Sequence, residues 1–497
     1  MTQNSYNPDV LTCLANLSND EVFTPPSVVN AMLDLLPEEL WSDPNATFLD
    51  PVSKTGVFLR EMAKRLMEGL AGAIPDQQAR INHIFTRQLF ALPITSLTAL
   101  VSRRSVYCSK TANGKYSVCS EFGDEQGNIR FTPTRHTWSN GKCVFCGASE
   151  SVFGNRGDDL ESHAYQFIHT QNPENIFNMK FDVIIGNPPY QLEDGGGTGS
   201  SAIPLYHIFI ETAKKLNPRF LTMIIPARWY SGGKGLDEFR VSMLNDKRLS
   251  HLVDYFDSAD CFPGIDLSGG VCYFLWQNNY KGDCEITSNI NGKSSTLKRP
   301  LLEKGCNSFI RFNEAVQIYT KIRKQEFVSF ESIVSARKPF GDLSVMKTKS
   351  KKDDIYTFAY PNNGYTNRNS VTQGNEYISQ HKVFISKAYG ERGEFPYLVL
   401  GKPFIGFPET CCTETYLMIG PASNEDECNN IISYIHTKLF RFLVLFKKNT
   451  QNAAKGVYSF VPLQDFSEAW TDEKLYEKYD LTADEIAFIE SMIRPME

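Results

Sequence analysis

Apolar residues recur at helical spacing in Val28 to Leu36 (VVNAMLDLL), directly after Thr24-Pro25-Pro26-Ser27. This predicts a helix with Ser27 as its N-cap. ATFLDP follows as a short strand ending at Asp50-Pro51, and VFLREMAKRLMEGL then restores the helical period. A second such unit lies in IFTRQLFALPITSLTALVSRR, with a strand over Gln88 to Leu92 and a helix over Ser96 to Arg103. Later the run Phe181-Asp182-Val183-Ile184-Ile185-Gly186 reads as a buried parallel strand, by its length and its β-branched residues. A helix (PLYHIFIETAKKL), a strand (FLTMIIPA) and a Gly-rich turn come next. LSHLVDYF and GGVCYFLW read as the last strands of the sheet. Strands alternating with helices predict an α/β fold built on a doubly wound, mostly parallel sheet.

Two stretches break the rhythm. From about Val106 to Leu160 a polar, Gly-rich insertion carries four cysteines, and regular patterning resumes at HAYQFIHT. Beyond about Leu301 the alternation is lost, and KTKSKKDD, YPNNGYTNRN and LFKKNTQNAAKGVYSF mix basic residues with Tyr and Asn. Such a region reads as a separate recognition domain of short strands and loops, suited to phosphates and base edges. The expected organisation is a tail over 1–20, a catalytic domain over 21–300 with its insertion at 106–160, a recognition domain over 301–465, and a helical tail over 466–497. In that tail Thr482 is a candidate N-cap, with Glu485 at the capping-box position.

With 497 residues, the chain exceeds what one compact core holds. It is 41% hydrophobic and 22% charged, with no apolar run long enough for a bilayer and no secretory signal at its start, so a cytoplasmic location without a membrane partner is expected. Its twelve cysteines are then expected to be reduced. The net charge of −6 excludes a uniformly basic coat, but not a local basic face.

The most informative residues are Asn187-Pro188-Pro189-Tyr190, at the carboxyl end of the FDVIIG strand. Open α/β sheets place their ligands at that end. A nitrogen whose lone pair is delocalised into a ring is a poor nucleophile, and acceptors that polarise its N–H bonds improve it. Asn187 and the Pro188 carbonyl can be those acceptors, on a turn stiffened by two prolines. Tyr190 offers a ring face for stacking. A base reached in this way must first leave the duplex. The segment Glu193-Asp194-Gly195-Gly196-Gly197-Thr198-Gly199 is expected to form a loop beside this site.

Taken together, Val22-Phe23-Thr24-Pro25-Pro26, then LDPVSKTGVFL, then GNPPY resemble the adenine-specific DNA methyltransferases of the γ arrangement, the methylases of restriction–modification systems, including the bifunctional type II kind. The resemblance covers roughly residues 20 to 290. It implies a Rossmann-like S-adenosylmethionine-dependent methyltransferase acting on double-stranded DNA; a separate nuclease or helicase subunit is a candidate partner, because no nuclease motif is found ahead of Val22. It further implies that Phe23, Thr24 and Pro25 pack around the methyl donor and that Asp50, Pro51 and Gly56 form the donor loop. Asn187, Pro188, Pro189 and Tyr190 then hold the adenine, with Asn187 also facing the donor. Gly56 is expected to be glycine because backbone approaches the cofactor there, whereas Phe58 is expected in the core. Two positions depart from the family pattern. Lys54 stands at a usual glycine and is expected to point outward, and Pro93 stands where related enzymes carry an acidic residue for the ribose.

Cys108, Cys119, Cys143 and Cys146 form a zinc-knuckle pattern, of which Cys143-Val144-Phe145-Cys146-Gly147 is the specific half. A structural zinc would supply folding energy to an insertion poor in apolar residues. His136 or His163 could replace one ligand. Two other readings compete for the whole chain. One is a protein-glutamine methyltransferase, because an amide nitrogen can be activated by the same tetrapeptide. The other is a DNA-binding specificity subunit with a decayed donor site, suggested by Lys54 and Pro93. No carboxylate–lysine nuclease motif is found ahead of Val22.

Overall fold

The computed structural model describes residues 22–155, 162–192 and 203–496, less positions 234, 266, 268, 307, 350–351, 353, 391–394 and 449–450. The 1–20 tail and the Glu193–Gly199 loop therefore lie outside the described residues. The chain divides into two compact units, Met1–Leu301 and Leu302–Glu497.

The first unit is built on an eight-stranded sheet. In chain order its strands are β1 (Phe48–Ser53), β2 (Leu89–Pro93), β3 (Val183–Gly186), β4 (Phe220–Pro226), β5 (Leu249–Tyr255), β6 (Val271–Gln277), β7 (Cys284–Ile290) and β8 (Lys293–Arg299). Their order across the sheet is β8-β7-β5-β6-β4-β3-β1-β2. Strands β2, β1, β3 and β4 run parallel, whereas β6 runs antiparallel to both its neighbours. Each residue of β1, β2 and β3 is buried, as the continuous apolar runs of a sheet covered on both faces require. This is the α/β, mostly parallel sheet expected from the alternation.

Helix α1 (Pro26–Leu33) starts two residues earlier than the periodicity suggests, with Pro25 as N-cap and Pro26 in its first turn. Ser27 therefore lies inside the helix, since a proline at the first position needs no partner for a missing N–H. Helix α2 (Val57–Gly69) follows β1, and α3 (Ser96–Tyr107) follows β2. Thr95 caps α3 through a reciprocal box with Thr98. Helix α4 (Tyr206–Lys215) leads into β4.

Two expectations about this unit change. The sheet does not end at GGVCYFLW: the hairpin β7–β8 adds two strands, turning at Asn291-Gly292, whose φ angles are 49° and 72°. Asn-Gly is the residue pair that such a two-residue turn selects. Nor is the insertion devoid of a core. Ala112, Cys119 and Ile129 are buried in the main apolar cluster, with Val118 and Phe122 against it. Ala91 of β2 also donates to the Asn128 carbonyl (3.0 Å) and accepts from Arg130 N–H (3.0 Å), so the insertion pairs with an otherwise open strand edge.

The second unit holds two three-stranded sheets. One joins Ile355–Phe358, Gly364–Thr366 and Thr410–Cys412, and the other joins His381–Ser386, Phe404–Gly406 and Tyr416–Ala422. Helices at Asn313–Arg323, Glu425–His436, Lys438–Leu445, Asp472–Lys478 and Ala483–Met492 complete it, so it is more helical than its composition suggested. The capping box of Thr482 and Glu485 is present. The last helix is tied inward: Lys321 of the Asn313–Arg323 helix pairs with Glu485 at 2.7 Å. Arg441, with no exposed surface, donates to the carbonyls of Leu398, His436, Thr437 and Arg494.

Candidate active site

Strands β1 and β3 are neighbours, and the chain leaves them in opposite directions across the sheet, toward β2 and toward β4. Their carboxyl ends thus flank the switch point, where a crevice opens in folds of this kind. The loop after β1 carries Asp50 to Gly56, and the turn after β3 carries Asn187 to Tyr190. The two approach closely: a Cβ on Gly186 would lie 3.0 Å from the Asp50 Oδ1 and 2.9 Å from a Val52 methyl. Gly186 is therefore a contact requirement as well as a strand end.

Asn187 is 3% exposed, and its amide nitrogen donates to the Val22 carbonyl (2.9 Å) and to Thr24 Oγ1 (3.1 Å). A backbone carbonyl only accepts, so the amide nitrogen must face it and the orientation of the side chain is fixed by chemistry. The amide oxygen is left buried with no hydrogen-bond partner. An orphan acceptor of this kind costs roughly 1–3 kcal/mol in a fold, so its retention calls for a donor from elsewhere.

The segment before α1 joins both loops. Lys54 is buried rather than outward, and its ammonium donates to the same Val22 carbonyl at 3.3 Å. The expectation of an outward lysine thus fails: the loop after β1 packs along α3, with Ser102 Oγ 3.2 Å from Ser53 Oγ and donating to the Lys54 carbonyl. That leaves the long side chain the crevice as its route. Val22, Phe23, Thr24, Asp50, Lys54 and Asn187 line a cleft with only about 20 Å³ of open space. That is far below the ~300–1,000 Å³ of most ligand pockets, so the crevice is nearly closed in this structure.

Asp50 is 2% exposed, and Val52 N–H donates to it (3.1 Å). Burial pushes its carboxyl up to about 7, although that hydrogen bond, Ser53 and the charge of Lys54 pull the other way. Gly56 has φ +74°, and a Cβ there would meet Val106 at 3.0 Å and the Ser102 backbone at 3.1 Å. Helix α3 and the left-handed φ thus demand this glycine on packing grounds alone, and Gly56 also lines the cleft. Pro51 is buried, Phe23 and Pro25 are half-buried, and Phe58 joins the core. Pro93 pairs with Ser53 at the end of β2, and Asp50 is the one carboxylate among the residues lining the cleft.

Pro188 and Pro189 are buried beside Asn187. The Tyr190 ring, 8% exposed, packs in the main apolar cluster and does not stand out as a free platform. Its hydroxyl is buried without a partner. Burial and the neighbouring Cys261 and Cys272 push the phenol well above its usual value, with Asn187 opposing.

The cysteines of the insertion separate. Cys143 and Cys146 converge with His136 and His169, all four ligand atoms lying within 4.8 Å of one another. Cys108 and Cys119 are not in this group. Cys108 is exposed at the end of α3 with φ 59°, and Cys119 is packed in the core. The metal-ligand set expected from sequence is corrected on this point. His163 is also outside it, with its Nδ1 3.1 Å from the Tyr165 hydroxyl.

A carboxylate, an orphan amide oxygen and a diproline turn thus meet at the switch point of the sheet. A family model described as Eco57I restriction-modification methylase matches residues 87–262. A Mycoplasma pneumoniae (strain ATCC 29342 / M129 / Subtype 1) protein, described as an uncharacterized adenine-specific methylase, is 39% identical over 349 residues, covering 63% of this chain and 82% of the relative. The chain belongs to this family of adenine-specific methylases of the restriction–modification type. Among solved structures, the fold is similar to a nuclease-deletion mutant of the Type ISP restriction-modification enzyme LlaGI in complex with a DNA substrate mimic (12% identity, TM-score 0.49, 89% of this chain and 54% of that one). It is also similar to the DrdV–DNA complex (11% identity, TM-score 0.48, 90% and 56%). The chain spans little more than half the length of these two structures. Among the described residues, no helix is long and apolar enough to cross a membrane.

Proposed function

We propose that the chain methylates the exocyclic N6 of an adenine swung out of double-stranded DNA, with S-adenosylmethionine as donor, at a site read by its second unit. The observation that carries this reading is the partnerless Asn187 Oδ1 in a crevice bordered by the Asp50 loop. S-adenosylmethionine, when bound, supplies an electrophilic methyl group. The residues present fit such a group. Phe23, Thr24 and Pro25 on one side and Asp50, Pro51 and Gly56 on the other would hold it, while the cleft must widen by displacement of the Lys54 or Phe23 side chain.

Asn187 Oδ1 accepts one hydrogen of the adenine amine and the Pro188 carbonyl the other, which polarises both N–H bonds and makes the nitrogen lone pair more available. The fixed amide orientation lowers the entropic cost of reaching this geometry. The diproline turn holds the nitrogen steady; as the N–C bond forms, the donor's sulfur–methyl bond would break, and the amine proton would then pass to solvent, so no strong base is required of the chain. Tyr190 stacks on the base once its ring leaves the apolar cluster.

Unit 2 supplies exposed aromatic and basic groups, among them Tyr360 (78% exposed), Tyr356, Lys347 and Lys349, as a base- and phosphate-reading surface requires. Cleavage, where the system has it, belongs to a partner nuclease or helicase subunit. Transfer of labelled methyl from S-adenosylmethionine to duplex DNA, with a glutamine-containing release-factor-like protein as the competing substrate, tests the reading. Label in DNA adenine supports it, and label in protein alone overturns it.

A further inference from the structure

Within the insertion, Cys143 and Cys146 sit on a knuckle. A short hairpin pairs Trp138–Ser139 with Lys142–Cys143, and the chain then turns so that Gly147 N–H donates to the Cys143 carbonyl (3.0 Å) and Cys143 N–H to the Ala148 carbonyl (2.8 Å). Gly147 has φ +74° with open space around its Cβ position, so conformation rather than crowding demands glycine there. This turn brings both sulfurs to one side.

The two histidines flank the cysteines in sequence: His136 precedes them within the insertion, and His169 follows beyond its end. His136 presents Nδ1 to the Cys146 sulfur at 3.5 Å, and its Nε2 lies 2.6 Å from the Ser162 carbonyl. His169 is 9% exposed, with Nδ1 2.9 Å from the Tyr165 carbonyl, while its Nε2 is buried without a hydrogen-bond partner. In each ring one nitrogen is therefore committed to a backbone carbonyl as donor. The other is left as an unprotonated lone pair, which is how proteins orient metal-binding imidazoles.

We infer that His136, Cys143, Cys146 and His169 bind one zinc ion as a closed Cys2His2 site. Two thiolates and two imidazoles favour zinc in tetrahedral coordination, and four protein ligands leave no position for catalysis. The role is structural. His169 lies on the segment running to β3 and the Asn187 turn, and that segment is anchored by the stacking of Phe167 on Phe209 of α4 (6.1 Å). The metal ties the knuckle to this segment, replacing the apolar packing that the outer insertion lacks. This inference stands independently of the methylation chemistry.

X-ray absorption on the zinc-loaded full chain is the direct test, because it needs no variant. The site requires two sulfurs near ~2.3 Å and two nitrogens near ~2.0–2.1 Å. Metal content should be about one zinc per chain, as a single four-ligand site holds. It should be retained in Cys108→Ser/Cys119→Ala and lost in Cys143→Ser/Cys146→Ser and in His169→Ala, with faster proteolysis between 131 and 155. A four-sulfur shell, zinc lost with Cys108 and Cys119 instead, or a wild-type chain that binds neither zinc nor cobalt(II) would overturn it. Failure of these outcomes leaves methyl transfer untouched, so the two readings fail separately.

Discussion

Asn187 and Lys54 donate to one and the same acceptor, the backbone carbonyl of Val22, at 2.9 and 3.3 Å. Three motifs that are far apart in sequence thus meet on a single oxygen, and the amide of Asn187 is held with its own oxygen free. This relationship makes the crevice both organised and narrow.

Removing the amide oxygen should disable chemistry without dissolving the fold. Asn187→Ala is expected to lower the single-turnover methylation rate on the order of 10²-fold or more, as loss of one preorganised polar group does in other active sites. Duplex binding, read by anisotropy, should change only a few-fold. Asn187→Asp should also fail, since its carboxylate cannot donate to the Val22 carbonyl.

The Asp50 carboxyl gives a pH signature. Its folded value, about 7, lies above the ordinary ~3.9 of an unfolded chain, so between those values the folded state holds a proton that the unfolded state has lost. The sign follows: this contribution is fully present below about 4, falls as pH rises toward 7, and is flat above that. The stability difference between wild type and Asp50→Asn, measured by urea unfolding from pH 4.5 to 8, should decline across that window. In Lys54→Met the decline should extend to higher pH, because the nearby charge that favours the carboxylate has been removed.

Glycine substitutions separate packing from cofactor contact. Gly186→Ala pushes a methyl against Asp50 and Val52, and Gly56→Ala combines a positive φ with contact on α3. Each is expected to destabilise by about 1–3 kcal/mol. Gly186→Ala should in addition weaken donor binding in calorimetry, since the methyl presses on the Asp50 carboxylate.

A buried charge cluster at the far side of the sheet should matter for stability alone. Asp246 is reached by Lys214 (2.9 Å), Arg248 (2.7 Å) and the Trp276 indole N–H (2.9 Å), and these hold its carboxyl below the usual range despite burial. Its contribution is present above the ordinary carboxylate pKa and is lost as pH falls through the depressed folded value. Asp246→Asn is expected to cost about 3–5 kcal/mol, because it leaves the Lys214 ammonium buried and uncompensated. Thermal unfolding checks this, and methylation at permissive temperature should be close to unchanged.

Much of the catalytic unit was legible in the sequence, because buried parallel strands write themselves as continuous apolar runs and the carboxyl ends of such strands are where ligands sit. FDVIIG followed by Asn187 is the clearest case. The β7–β8 hairpin was missed although Asn291-Gly292 announces it, since CEITSNI alternates weakly. The inward course of Lys54 and the packing demand on Gly56 share one cause: both are governed by the contact of their loop with α3, which no local pattern reveals. His169 was not recognised as a partner of Cys143 and Cys146, because it lies outside the insertion and only the fold brings it near. Four cysteines in one polar stretch suggested a simpler set, but Cys119 is apolar packing.

Single-molecule sequencing of host DNA from cells expressing the chain alone tests the central claim most directly. Wild type should leave N6-methyladenine at one recurring sequence context, and Asn187→Ala, expressed to the same level, should leave none. Unmodified adenine in wild-type cells containing folded protein, or equal modification with the Ala variant, would contradict the account.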